Sequence, residues 1–200
     1  MLIALALHLA LTFQNSRSIP AAIVREAVAE ATVIWAPYGV ALHDDSSGLA
    51  VDDAKVLVIR ITEQAARIEM AVPLGVITFG PDDMPEPRII IFLDEVVRLV
   101  SLARVLGVDE SHWPRRLREQ IIGRVLGRVL AHEIGHYVLR SRQHSAFGLM
   151  RPEQRIDELT AESRVSFRLS VEEVAQLGAL AALGSSLSRK ENEQAHAAKP

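Results

Sequence analysis

The stretch from about Pro114 to Arg140 constrains the fold more than any other part of this 200-residue chain. Ile121, Val125 and Val129 recur at spacing four, and seven residues beyond Val125 and Val129 stand His132 and His136. One apolar face of a long helix therefore runs directly into two histidines. A second row, Gly123, Gly127, Ala131 and Gly135, is nearly bare of side chain. A helix smooth along one row is expected to lie close against the sheet or another helix. Packing of that row within a membrane is excluded, because Arg124 and Arg128 interleave it.

The histidines belong to the phrase HEIGH, His132 to His136. Spacing i, i+4 sets their imidazoles on neighbouring turns of one face, within reach of a single ion. Glu133 points about 100° away round the helix, placed to touch a water rather than the metal. A catalytic zinc wants a third protein ligand and an open fourth position. The chain has no cysteine, so that ligand must be a histidine or a carboxylate. His144, eight residues after His136 in HSAFGLM, is the leading candidate. Glu158 or Glu162 is the alternative, sharing one helical face at spacing four, and a site with no third protein ligand also stays open.

Elsewhere strands and helices alternate. MLIALALHLALTF is apolar on both faces and is expected to supply a buried strand over residues 2–13. The competing reading is a signal remnant. It lacks Lys or Arg before the apolar run, so no complete signal peptide is recognised, and cytoplasmic and exported locations both stay open. Residues 20–36 carry Ile23, Ala27, Val28, Ala31, Ile34 and Trp35 at helical spacing, with Gly39 placed as a C-terminal cap. Further strands are expected at 40–42, 55–61, 74–79 and 88–93, with loops at HDDSSG and PDDMPEP. Asp94 is expected to cap a helix reaching about Leu106. The fold class is α/β (α+β), a single domain of five strands with covering helices. Residues 1–184 are expected to form the catalytic domain, and 185–200 a flexible polar tail.

HEIGH, then HS at His144 and Ser145, then GLMRP at 148–152 occur in the order found in metzincin zinc peptidases, and the chain resembles their matrixin-like branch. It is most similar to bacterial metzincin-like proteins reading AHEIGHxLLGxxxHSxxGxM. The specific part of the resemblance covers Ala131 to Pro152. The family's glycine position falls on Leu139 and its usual third-histidine position on Arg142, so His144 comes two residues late. The resemblance implies a mixed five-stranded sheet ahead of a long active-site helix, with C-terminal helices. It also implies zinc held by His132, His136 and His144, Met150 packed beneath the site, and a cleft running beside an edge strand at 74–79. It implies hydrolysis of a peptide bond, with Glu133 taking the proton of the attacking water. Gluzincin-type peptidases instead use a glutamate from a later helix, the role open to Glu158 or Glu162. A zinc-binding module without proteolysis is a further alternative.

The net charge of −3 gives no electrostatic case for a nucleic-acid partner, and no apolar run is long enough for a stable membrane span. The expected partner is a peptide or protein substrate. His8, His43, His112 and His196 are expected to be packed or surface histidines, as are Tyr137 and Arg151 in packing or surface roles. No serine or cysteine nucleophile constellation is visible. Oligomeric state is not legible.

Overall fold

The computed structural model describes residues 7–15, 19–44, 54–63 and 73–183. Strand β1 is Leu7–Asn15, helix α1 is Ala21–Trp35, β2 is Val40–Asp44 and β3 is Lys55–Thr62. β4 is Gly75–Phe79, β5 is Pro85–Phe92 and α2 is Leu93–Ser101. The short strands β6, Arg104–Val105, and β7, Val108–Asp109, form a separate hairpin. Then come α3, Arg115–Leu139, the single-turn α4, Ile156–Thr160, and a helix over residues 171–183, here α5.

The sheet is mixed, in the order β2-β1-β3-β5-β4. β1 pairs in parallel with β2 and β3, β3 in parallel with β5, and β4 runs antiparallel along the edge beside β5. The expected architecture is therefore the observed one. Residues 7–13 of the apolar N-terminal run form an inner strand, and residues 2–6 lie outside those described. Leu9, Leu11, Leu57, Ile59, Ile89 and Ile91 alternate with outward residues and are wholly buried. They face α1 and α3, which cover one side of the sheet.

The bare row of α3 meets α1 rather than the sheet. A Cβ on Gly123 would come 2.6 Å from Glu26 Cβ, and one on Gly127 would come 2.5 Å from the Ala27 carbonyl oxygen. Only glycine allows the two backbones this close. Arg124 and Arg128, read from the sequence as polar interruptions, are themselves buried, Arg128 to 1 % exposure. Its Nε–H donates to Glu30 Oε1 at 2.8 Å, an NH2 donates to the Ser163 carbonyl at 3.0 Å, and the guanidinium lies over the Phe167 ring. Arg164 holds the other Glu30 oxygen at 2.6 Å. Neutralising contacts on every side are what a buried charge requires.

Four local expectations are corrected. α2 ends at Ser101, not near Leu106, because Leu106 and Gly107 both take positive φ, 53° and 80°, and turn the β6–β7 hairpin. Its N-cap is Phe92, with Asp94 inside the first turn. β5 begins at Pro85, within the expected loop, and β2 continues through His43 and Asp44. Proline is tolerated there because pairing with β3 starts only at Arg88, so no neighbour on that side needs the missing N–H. The expected tail, 185–200, lies outside the described residues. Among the described residues, no helix is long and apolar enough to cross a membrane.

Candidate metal centre

His132 and His136 stand on the inward face of α3, as their continuation of the Val125 and Val129 row requires. α3 ends at Leu139, and Arg140 takes the left-handed conformation at φ 50° that closes the helix. Leu139 is buried, and the residue that turns the chain out of the helix is the next one, Arg140. The loop then returns His144 to the face of the two helix histidines. Ring centroids are 4.8 Å apart for His132–His136 and His136–His144, and 5.3 Å for His132–His144. Each offers a ligand nitrogen, all three within 4.8 Å of one another.

The ring nitrogens decide what this cluster suits. His132 Nδ1 lies 2.8 Å from the Leu149 carbonyl oxygen, and His136 Nδ1 lies 2.7 Å from that of Ser141. A carbonyl only accepts, so both Nδ1 atoms carry the proton. Burial pushes the pKa of His132 down to about 4 and lowers those of His136 and His144, keeping the rings neutral. Both Nε2 atoms then present lone pairs, and they face each other at 3.2 Å. Two acceptors do not bond to one another, so the pair calls for a cation between them. Imidazoles sharing an ion at ~2.0–2.1 Å stand roughly 3.3 Å apart in a tetrahedral set, so the donor geometry fits zinc. Both orienting carbonyls come from the loop that bears His144.

Glu133 is buried beneath β4, at 6 % exposure. Burial raises its pKa to about 8 in the metal-free protein, opposed by a hydrogen bond from the Ile77 backbone. Gly75 makes this approach possible. A Cβ there would meet Val129 Cγ1 at 2.8 Å and Glu133 Oε1 at 3.3 Å. A cavity of about 360 Å³ opens along β4, with Leu74, Val76, Ile77 and Phe79 on one wall. The three histidines and Glu133 form its floor, and Arg151, Pro152 and Gln154 its other wall.

Met150 is buried, and its sulfur fills the space where a Gly135 side chain would stand, with a Cβ there only 2.2 Å away. Glu158 is committed elsewhere. Its Oε1 accepts from Ser166 at 2.9 Å, while Oε2 accepts from Arg151 and the Arg155 backbone, and these donors lower its pKa. Glu162 is exposed, and neither glutamate joins the histidine group. Arg151 lines the cavity but spends its NH2 on Gln154 and Glu158, whereas Tyr137 packs against the core. His8 and His43 form a pair on β1 and β2 with nitrogens 2.9 Å apart, and His112 contacts Ser111. His196 lies outside the described residues.

Sequence reasoning missed several residues around the site. Gly75 carries a faint signal, a glycine opening a strand, which marks close backbone approach. Ser170 and Glu173 carry a clearer one, the S-x-x-E pattern of a helix N-terminus. The Glu30–Arg128 pair has none, because its members are far apart in the chain.

No family model matches the chain, and no curated protein matches it. Among solved structures, a zinc-dependent peptidase from Methanocorpusculum labreanum (strain Z) is similar, with a TM-score of 0.50 and 14% identity. The match covers 84% of this chain and 99% of that one. At this identity the likeness is one of fold, so the two chains share an architecture across nearly the whole of that protein.

Proposed function

We propose that this chain is a zinc metallopeptidase of metzincin-like plan, with residues 1–184 as its catalytic unit. His132, His136 and His144 hold the ion, and Glu133 serves as the general base. The observation that carries the reading is the pair of proton-free Nε2 atoms at 3.2 Å, with a third imidazole turned toward them. Support also comes from Met150 under Gly135, from the edge strand beside the cavity, and from a fold neighbour described as a zinc-dependent peptidase.

When bound, zinc supplies a Lewis acid that polarises a carbonyl and makes water easier to deprotonate. The residues of the chain do the rest. β4 is the last strand of the sheet among the described residues, and an extended peptide can pair with it antiparallel or parallel as one more strand. That pairing lays a peptide bond across the floor of the cavity, above the histidines. Glu133 sits off the ligand face, takes the proton of the attacking water and passes it to the leaving amine. The walls of the cavity, apolar along β4, shed water from the reacting carbonyl.

Glu133→Gln tests the assignment, since it keeps shape and removes the base. Zinc content, measured on protein purified without added metal, should stay at one ion per chain. Hydrolysis of an unstructured protein should fall ~10²-fold or more, the scale of a lost general base. Unchanged hydrolysis would remove Glu133 from the mechanism, and loss of zinc would make it a ligand.

A further inference from the structure

The three histidines are not held alike. His132 and His136 have their Nδ1 protons fixed on carbonyls and their backbones fixed in α3. His144 is exposed, stands in a loop, and its ring takes no hydrogen bond from the described residues. Its neighbour Ser145 is tied down instead. The Ser145 N–H donates to the Met150 carbonyl at 2.9 Å, and its hydroxyl donates to Glu173 Oε1.

Glu173 is an unusual partner for a loop serine. It is buried to 7 % exposure, and its second oxygen accepts the Ser170 N–H at 2.7 Å while the Ser170 hydroxyl accepts the Glu173 N–H at 3.2 Å. That is a capping box at the start of α5. One carboxylate thus closes the helix with one oxygen and reaches the ligand loop with the other. Two more contacts join the same segments: Gln176 Nε2 donates to the Leu139 carbonyl at 2.6 Å, and the Leu149 N–H to the Arg168 carbonyl at 2.9 Å.

We infer that Glu173 is a positioning residue for the third metal ligand, acting through Ser145, and that the start of α5 completes the metal centre. The inference rests on the zinc reading above, but not on peptidase activity. It also accounts for the displaced histidine. A loop two residues longer than the metzincin spacing, without the family's glycine, carries more conformational freedom, and the Ser145–Glu173 bond removes it at the residue next to His144. Partners one step behind a metal ligand characteristically hold affinity of this size, ~10–100-fold.

The test compares two serines that bond to the same carboxylate. Ser145→Ala removes the reach to the loop and leaves the helix cap. Ser170→Ala weakens the cap and leaves the reach. Zinc affinity is read by competition against a chromogenic chelator, site geometry by the visible absorption of the cobalt-loaded protein, and folding by melting of the metal-free protein. Ser145→Ala should bind zinc about tenfold more weakly and show an altered cobalt spectrum, with little change in metal-free melting. Ser170→Ala should melt lower yet bind zinc like the wild type, and Ser145→Thr, which keeps the hydroxyl, should restore affinity. Wild-type zinc affinity in a folded Ser145→Ala protein overturns the inference. So does an equal loss in both alanine variants, which would make α5 a general support. A wild type that binds zinc but cleaves nothing refutes only the peptidase reading, and one that takes up no zinc refutes both.

Discussion

Helices α3 and α5 both bear on the histidine cluster, but one is clamped along its length and the other rests on one buried leucine, Leu177, and a few polar side chains. α3 lies so close to α1 that Gly123 and Gly127 leave no room for a methyl group, and its Arg128 is sealed in with Glu30. α5 holds the His144 loop through Glu173 and the end of α3 through Gln176, and its Gly178 has nothing within 4 Å of where a Cβ would stand. Two of the three histidines thus ride on a helix pressed against its neighbour, and the third on a loop held by a few contacts. On the zinc reading proposed above, such a division would fix two ligands firmly and leave the third to the loop.

The largest expected effect strikes the clamped side. Glu30 is the only carboxylate facing both Arg128 and Arg164 among the described ion pairs. Glu30→Ala leaves the Arg128 guanidinium buried without a counter-charge, which should cost about 4 kcal/mol in urea unfolding of the metal-free protein. Arg164→Ala, at a side chain 44% exposed, should cost far less. Equal losses would mean that the pair is wetter than its burial indicates, and the contrast between the helices would weaken.

Gly127→Ala comes next. On an open helix the change gains about 1 kcal/mol. Here the methyl would meet the Ala27 carbonyl at 2.5 Å and Ala27 Cα at 3.1 Å, both backbone atoms of α1. Forcing two packed helices apart should turn the gain into a net loss of about 2 kcal/mol. A stabilised variant would show that α1 yields easily, and that the rigid footing of His132 and His136 is overstated.

How much of this was legible in sequence follows the same division. α3, its inward histidines and its bare row were readable because a helix repeats its neighbours every three or four residues, so the evidence is local. The five strands were readable for the same reason, from runs such as KVLVIRI and RIIIFL. Their order was not readable from any pattern; only the edge place of 74–79 was expected, and that from the resemblance. His144 was nameable from chemistry, but what holds it was not. Ser145 and Glu173 lie 28 residues apart, Arg128 and Glu30 lie 98 apart, and hydrophobic period reports nothing about such pairs. The premature end of α2 was misread because Leu106 gives no hint of positive φ, although Gly107 beside it does.

The histidines themselves sharpen the comparison. His136→Ala and His144→Ala should both strip most of the zinc, since two ligands are too few for a stable site. In the metal-free protein they should differ. His136 is buried and bonded to the Ser141 carbonyl, so its removal should cost about 1–2 kcal/mol. His144 is exposed and makes no hydrogen bond to the described residues, and removing it should fall within about 0.5 kcal/mol of zero. A large loss for His144→Ala would show that it packs more tightly in solution than its exposure implies.

Gly178→Ala should have the smallest effect, with the opposite sign to Gly127→Ala. The position is inside α5, where glycine gives up more backbone freedom on folding than alanine does, and the added methyl meets no atom. The variant should gain up to about 1 kcal/mol in metal-free stability, seen as a raised urea midpoint with an unchanged slope. Its value lies in what accompanies the gain. If the Ser145–Glu173 bond is what orders the loop that bears His144, a firmer α5 should leave zinc affinity where it was, because that bond is unchanged. A fall in affinity would mean that the loop needs α5 to give way when the ion enters, and the third ligand would be a mobile one. The same substitution, a glycine to alanine in a helix, would thus lower stability in α3 and raise it in α5, for no reason other than what stands beside each Cα.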